Sequence, residues 1–153
     1  MVEYANDTEK ANVPDAAREG TAAARPESGV SIYVVDDEPM VGELVATVLE
    51  MDGFQTRLFR DPAEALKAFI TANPRPALLL TDFVMDGLNG MELIEHCKRA
   101  QPALKTILYS GNGGMEITQR YPVKPDYFIR KPFQPKNLVD TVRLVLTHYP
   151  PLP

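Results

Sequence analysis

Short apolar runs alternate with longer amphipathic segments along the chain from Val30 onward. Runs rich in β-branched residues predict five strands, at residues 32–35, 54–58, 77–81, 106–109 and 127–129. Apolar residues spaced three and four apart predict helices at residues 40–52, 62–72, 91–99 and 136–148, with a short, weaker one at 115–121. This alternation is typical of a doubly wound α/β fold, a five-stranded parallel sheet with helices on both faces.

The first 29 residues differ from the rest of the chain. They hold one aromatic residue, Tyr4, seven Ala and two Pro, and so bury too little apolar surface to offset the entropy lost on ordering. We expect a disordered tail over residues 1–29 and one folded domain over residues 30–148. Residues 149–153, with the sequence YPPLP, predict a stiff, Pro-rich end after the last helix.

Charge and composition narrow the class of protein. The 153 residues carry a net charge of −5 without a Lys/Arg cluster, which disfavours direct nucleic-acid binding. The apolar runs are far shorter than the ~20 residues that span a bilayer, so no membrane association is predicted. The start of the chain has no signal-peptide pattern, and a single cysteine, Cys97, cannot form an internal disulfide. Both features favour the cytoplasm.

Polar side chains follow four of the predicted strands, at the edge where such sheets bind ligands. Asp36 and Asp37 follow the first strand, Asp82 the third, Ser110 the fourth and Lys131 the fifth. Carboxylates gathered in one crevice repel one another unless a cation compensates. Oxygen ligands without His or Cys suit Mg²⁺, which binds carboxylates together with phosphate oxygens.

A phosphoryl group is therefore the predicted substrate. An ionised Asp82 can attack phosphorus without a general base. Lys131 would neutralise one phosphoryl oxygen and the Ser110 hydroxyl would donate to another. Taken singly, each group has a simpler interpretation: the Asp36-Asp37 pair as a turn or helix cap, Asp82 as a loop cap, Ser110 as a turn residue and Lys131 as a solvated charge. Their joint placement favours the chemical interpretation.

Other reactive side chains are interpreted as structural. Tyr109 and Phe128 are expected to be core aromatics, and the methionines near the predicted crevice are expected to pack in the core: Met85, Met91 and Met115. His96, Cys97 and His148 lack neighbours that would complete a metal or nucleophile site. Gly-rich residues 111–114 do not have the spacing of a phosphate-binding loop.

Four segments together resemble the receiver domains of two-component response regulators. They are YVVDDEP at residues 33–39, LTDFVM followed by GLNGMEL at residues 80–93, LYSG at 108–111 and YFIRKPF at 127–133. In this order and spacing they are highly specific. The resemblance implies the strand order 2-1-3-4-5. This flavodoxin-like order is one of the two common strand orders of doubly wound sheets.

The resemblance also implies roles for individual residues. Asp82 would accept a phosphoryl group from a histidine kinase or a histidine phosphotransfer protein, and the chain would catalyse only its own phosphorylation and dephosphorylation. Mg²⁺ would be bound by Asp36, Asp37, Asp82 and the backbone carbonyl of Val84. Ser110 and Phe128 fall on the switch positions of the family, and Lys131 on its lysine. A weak homodimer and the downstream protein partner are left open.

Four positions depart from the family pattern. Asp86 stands where a Pro is usual, four residues beyond Asp82, and Phe128 has no hydroxyl, so its switching would act through packing. Pro122 and Pro125 fall between the fourth helix and the fifth strand, which predicts a short or distorted helix and an atypical output face. The pair Ser110-Gly111 is similar to receivers attached to hybrid kinases.

Two other functions compete with the phosphorylation switch. A phosphohydrolase of the haloacid-dehalogenase kind also uses an Asp nucleophile and Mg²⁺, but it carries a second Asp two residues on, where this chain has Val84. A receiver without phosphorylation, used only for binding, would lack labelling at Asp82. Within the first hypothesis, output by protein binding and onward transfer of the phosphoryl group both stay open.

Overall fold

The computed structural model describes residues 30–111, 113 and 115–148. The predicted tail over residues 1–29, the Pro-rich end over 149–153 and Asn112 lie outside the described residues. The strands are β1 (Ser31–Val35), β2 (Gln55–Phe59), β3 (Leu78–Asp82), β4 (Lys105–Ser110) and β5 (Tyr127–Arg130). The helices are α1 (Pro39–Met51), α2 (Pro62–Thr71), α3 (Gly90–Ala100), α4 (Met115–Thr118) and α5 (Pro135–His148).

The five strands form one parallel sheet in the order β2-β1-β3-β4-β5. This confirms the predicted fold and the order 2-1-3-4-5. Each strand boundary lies within one residue of its prediction, as do the boundaries of α1, α2, α3 and α5. Because all strands run the same way, their carboxyl ends meet at one edge of the sheet.

Alternate residues of the strands face two separate apolar layers. On one face, Ile32 and Val34 of β1 pack in a cluster with buried residues of α1 and α5. On the other face, Tyr33 and Val35 pack with buried residues of α2 and α3. The helices therefore cover both faces, as the period-two and period-3.6 patterns predict. Within the described residues, every helix is too short or too polar to cross a membrane.

Helix α4 is the element that differs most from its prediction. It has four residues instead of the predicted seven. After Thr118 the backbone continues in tighter turns, with the amides of Gln119 and Tyr121 donating to carbonyls three residues earlier at 3.3 Å. Pro122, which has no amide hydrogen, follows. The short helix agrees with the expectation drawn from the two prolines of this segment.

Candidate functional site

Asp36, Asp82 and Tyr109 form one row across the carboxyl edge of the sheet. Asp82, the last residue of β3, is in register with Tyr109 of β4. Asp36 follows the end of β1, whose last residue pairs with the residue before Asp82. Side chains of such in-register residues point to the same face, here the face covered by α1 and α5. Asp37 joins them, and carboxylate oxygens of the three Asp residues lie within 4.8 Å of one another.

Asp36 is completely buried and both of its carboxylate oxygens accept hydrogen bonds. The amide of Glu38 donates to Oδ1 at 2.9 Å, and the Tyr109 hydroxyl donates to Oδ2 at 2.8 Å. Helix α1 has Glu38 as its N-cap, and no side chain makes a capping hydrogen bond there. The cap interpretation of Asp37 therefore has no support in the geometry.

Lys131 supplies the positive charge at this edge. Its Nζ lies 3.4 Å from Asp82 Oδ1, 3.4 Å from Glu38 Oε1 and 3.9 Å from Asp36 Oδ2. Its backbone amide donates to the Ser110 carbonyl at 2.9 Å, which ties the end of β5 to the end of β4. Lys131 is only 20% exposed, so it faces the carboxylates and is not the solvated charge of the simpler interpretation.

Lys131 alone does not offset the cost of holding Asp36 and Asp82 in their charged forms. Burial, opposed by Lys131, raises the pKa of Asp82 to about 6, and the nearby Asp36 charge contributes to this rise. Burial also raises the pKa of Asp36, against hydrogen bonds from Glu38 and Tyr109. Both shifts mean that the folded protein resists holding two negative charges here. A bound cation would relieve that cost.

The segment after Asp82 is fixed by close backbone contacts. The Gly90 amide donates to the Phe83 carbonyl at 2.9 Å, and a Cβ on Gly90 would lie 2.1 Å from the Asp82 carbonyl oxygen. Asn89 and Glu92 form a reciprocal capping box at the start of α3. Asn89 Nδ2 also donates to the Tyr121 hydroxyl at 3.0 Å, which links this segment to the residues after α4.

The remaining predicted site residues take different positions around the carboxylates. Ser110 is completely buried at the end of β4. Val84, two residues beyond Asp82, is 55% exposed. Phe128 of β5 packs against the α2 and α3 layer, on the face of the sheet opposite the Asp row, and lines an open cavity of about 580 Å³ with Thr118 and Lys124. Asp86 is exposed.

Several structural interpretations are confirmed and one is incomplete. Met85 and Met91 are buried in the core. Cys97 is buried, and burial raises the pKa of its thiol to about 12, which disfavours the thiolate form. Tyr109 is a core aromatic, but its hydroxyl is also part of the site. The sequence did offer a signal for this role: Tyr109 carries a hydroxyl, lies at the end of a predicted strand and directly precedes Ser110. Glu38, adjacent to the Asp pair, was likewise missed.

The donor set fits a hard divalent cation. Asp36, Asp37 and Asp82 offer oxygen atoms only, and two of the three are buried. Each carboxylate oxygen has two acceptor sites, so the hydrogen bonds on Asp36 leave capacity for a cation or its water. Mg²⁺ prefers a small number of protein ligands that are all oxygen atoms, and it completes its coordination with water.

Comparison with protein-family models matches residues 32–143 to the response regulator receiver domain. The chain therefore belongs to the receiver domain family of response regulators, a class of signalling domains. This agrees with the fold and with the resemblance of its four motif segments. It leaves the phosphohydrolase hypothesis without support.

Three relatives illustrate the range of proteins that carry this domain. The chain is 40% identical over 111 residues to the nitrogen assimilation regulatory protein NtrX of Azorhizobium caulinodans, covering 71% of this chain and 24% of that protein. It is 31% identical to the DNA-binding response regulator MtrA of Mycolicibacterium smegmatis, covering 73% and 48%. The crystal structure of the NtrX receiver domain from Brucella abortus is 34% identical with a TM-score of 0.66, covering 75% and 97%. The chain thus spans a quarter to a half of the two curated relatives.

Proposed function

We propose that Asp82 is the residue that accepts the phosphoryl group. The observation that carries this proposal is the position of Asp82: it is 5% exposed, clustered with two other carboxylates and 3.4 Å from Lys131. An aspartate so placed is costly to the fold in its charged form. A bound cation would offset this cost, and the ionised carboxylate would then be the group that attacks the phosphoryl donor.

The transfer needs no general base. An oxygen of ionised Asp82 attacks the phosphorus of a phosphohistidine, an O–P bond forms as the P–N bond breaks, and the histidine nitrogen leaves with the bond's electron pair and takes up a proton. Among the described residues, the Phe83 amide donates to Asp82 Oδ1 at 2.8 Å, and the ion pair with Lys131 at 3.4 Å involves the same oxygen. We assign Oδ2 as the attacking atom. Lys131 places a positive charge beside the phosphoryl oxygens, on which negative charge develops during the transfer.

We further propose that Asp36, Asp37 and Asp82, with the backbone carbonyl of Val84, hold Mg²⁺. When bound, the cation neutralises charge on the phosphoryl oxygens and the carboxylates. The residues themselves orient the site: the sheet register aligns Asp36 with Asp82, and the Glu38 amide and Tyr109 hydroxyl fix Asp36.

The switch is proposed to run through Ser110 and Phe128. The Ser110 hydroxyl would donate to the phosphoryl group, drawing the end of β4 toward Asp82. Phe128 is half-buried beside an open cavity on the other face of the sheet. Since its ring has no hydroxyl, its response would be a change in packing.

The phosphoryl donor is proposed to be a histidine kinase or a histidine phosphotransfer protein, as the family assignment supports. The chain would act as a signalling domain whose only catalysis is its own phosphorylation and dephosphorylation. The DNA-binding activity in the name of the MtrA relative belongs to a protein of which this chain spans 48%. Direct nucleic-acid binding by the acidic receiver itself is not proposed.

Intact-mass measurement after incubation with acetyl phosphate tests the acceptor. With Mg²⁺ present, the wild type should gain one phosphoryl group, and chelation of the metal should abolish the gain. Asp82→Asn should gain none. Asp140→Asn, which removes the same charge from an exposed position on α5, should label like the wild type.

Two results would speak against the proposal. Labelling of Asp82→Asn would place the phosphoryl group on another residue. A wild type that neither gains mass nor binds the phosphoryl mimic beryllofluoride, under conditions where Mg²⁺ binds, would indicate a receiver used for binding alone.

A further inference from the structure

We propose that Tyr109 is a positioning residue for the metal site, acting through Asp36. This inference rests on the proposed Mg²⁺ site and adds a residue to it. The residue that does the positioning is two strands away from the carboxylate that it holds. Its hydroxyl would orient the Asp36 carboxylate toward the cation, and so set the affinity of the site.

The sheet register makes this contact possible. Asp82 on β3 is in register with Tyr109 on β4, and Asp36 directly follows Val35 of β1, which pairs with the residue before Asp82, so that Asp82 lies between the other two. Tyr109 is completely buried and its long side chain reaches past Asp82, so that its hydroxyl donates to Asp36 Oδ2 at 2.8 Å. A shorter residue in register with Asp82 could not span this separation.

The hydrogen bond fixes a carboxylate that has no exposed surface. Asp36 is 0% exposed, and the Glu38 amide holds its other oxygen at 2.9 Å. With a donor on each oxygen, the carboxylate plane cannot rotate without breaking one of the two bonds. Its remaining acceptor sites are then held in place for a cation or a cation-bound water. Partners of this kind, bonded to a metal ligand, commonly change metal affinity when removed.

The ring of Tyr109 has a separate role, which allows the hydroxyl to be tested alone. Lys131 Nζ lies 5.1 Å from the ring centroid, and Phe133 packs edge-on at 5.7 Å. Tyr109→Phe keeps the ring, its packing and the Lys131 contact. It removes only the oxygen that donates to Asp36.

The test is a titration of the 153-residue protein with Mn²⁺, with unbound Mn²⁺ followed by electron paramagnetic resonance and Mg²⁺ added as competitor. We expect Tyr109→Phe to weaken binding of both ions by about tenfold. The matched control is Tyr33→Phe, a buried tyrosine whose ring packs on Phe59 and Phe69 in the opposite layer. Its dissociation constants should equal those of the wild type.

A double-mutant cycle separates positioning from general destabilisation. Asp36→Ala removes the acceptor, so adding Tyr109→Phe to it should change the Mn²⁺ dissociation constant by less than about twofold. An equal loss in both backgrounds would overturn the inference, as would a Tyr109→Phe variant that binds like the wild type. In either case the proposed function would stand, provided that the wild type binds Mn²⁺. A wild type that binds neither ion would overturn the metal site and the inference together.

Discussion

The carboxyl edge of β1 and β3 and the segment from α4 to β5 are held in place by different means. At the edge, strand register and backbone hydrogen bonds place Asp36 and Asp82 beside each other. From α4 to β5, helical structure ends after one turn. There Lys124 Nζ donates to the carbonyls of Thr118 and Tyr121, and Asn89 donates to the Tyr121 hydroxyl.

A second group of side chains anchors the start of β5. The Asp126 carboxylate accepts from the Thr106 amide at 2.8 Å and lies 3.1 Å from Lys98 Nζ on α3. Both members of this ion pair are 18% exposed. The segment from α4 to β5 is therefore held by side-chain contacts that single substitutions can remove. The position of Asp36 and Asp82, in contrast, depends on the strand pairing of the sheet. The difference predicts that substitutions at the edge act on the whole domain, and those between α4 and β5 act locally.

The largest effect is expected at the contact between α3 and β3. A Cβ on Gly90 would lie 2.1 Å from the Asp82 carbonyl oxygen and 2.8 Å from Leu108 Cδ1. Gly90→Ala must therefore displace α3 or β3, and should lower the free energy of unfolding by about 3 kcal/mol in urea denaturation.

The matched control lies three residues earlier. Gly87 has φ of +84°, and a Cβ at this position would have no other atom within 4 Å, so Gly87→Ala costs only backbone strain, about 1 kcal/mol. Equal losses for Gly87→Ala and Gly90→Ala would show that the close approach to Asp82 is not what requires Gly90.

Removing the charge of Asp82 should change the free energy of unfolding in the opposite direction, toward greater stability. In metal-free protein at pH 7.5, Asp82→Asn should raise the free energy of unfolding by an amount on the order of 2 kcal/mol, because it removes a buried carboxylate whose pKa is about 6. Urea denaturation with a chelator present measures this gain.

The pH dependence checks the cause. The pKa of Asp82 is higher in the folded protein than the ordinary value of 3.8, so the folded state binds this proton first, and the contribution of Asp82 to the free energy of unfolding increases as the pH falls from about 6 toward 4. Asp82→Asn should reduce this increase. The raised pKa of Asp36 acts in the same direction and should leave part of it. A variant with the full wild-type pH dependence would rule out Asp82 as its source.

Much of the edge could be predicted from the sequence because its determinants are local. Short apolar runs define the strands, and parallel strands bring their carboxyl ends together. Asp36 and Asp82 were therefore expected near each other once the strands were recognised and the order 2-1-3-4-5, which makes β1 and β3 neighbours, was inferred from the family resemblance. The boundaries of the four longer helices follow from the spacing of their apolar residues. Asp61 is the N-cap of α2 and Pro62 its first residue, as expected for an Asp-Pro pair at the start of a helix.

What the sequence could not provide are contacts between residues distant along the chain. The hydrogen bond from Tyr109 to Asp36 joins residues 73 positions apart, and that from Asn89 to Tyr121 joins residues 32 apart. Both depend on strand register or helix placement, which periodicity does not specify. The length of α4 depends in addition on side chains such as Lys124, which satisfy carbonyls that a longer helix would have used.

A smaller, more local effect is expected at Asp126. Asp126→Asn leaves Lys98 mostly buried without its charged partner and weakens the bond to the Thr106 amide, so it should cost about 2 kcal/mol at most in urea denaturation. The control is Asp140→Asn, which removes the exposed ion pair with Lys136 and should change stability by less than about 0.5 kcal/mol. If the two variants lose the same amount, the Lys98 pair does not anchor β5.

The smallest effect is expected at Tyr121, and it tests the comparison most directly. Tyr121→Phe removes the acceptor for Asn89 Nδ2, a loss of about 1 kcal/mol, which corresponds to about fivefold faster hydrogen exchange if opening is local. Mass spectrometry should find this increase in peptides covering residues 115–128. Peptides from β1 and β3 should exchange as in the wild type, and the control Tyr127→Phe, at a 40% exposed tyrosine, should change neither region. Faster exchange throughout the sheet would mean that the two regions unfold as one unit, because the contact would then support the whole domain.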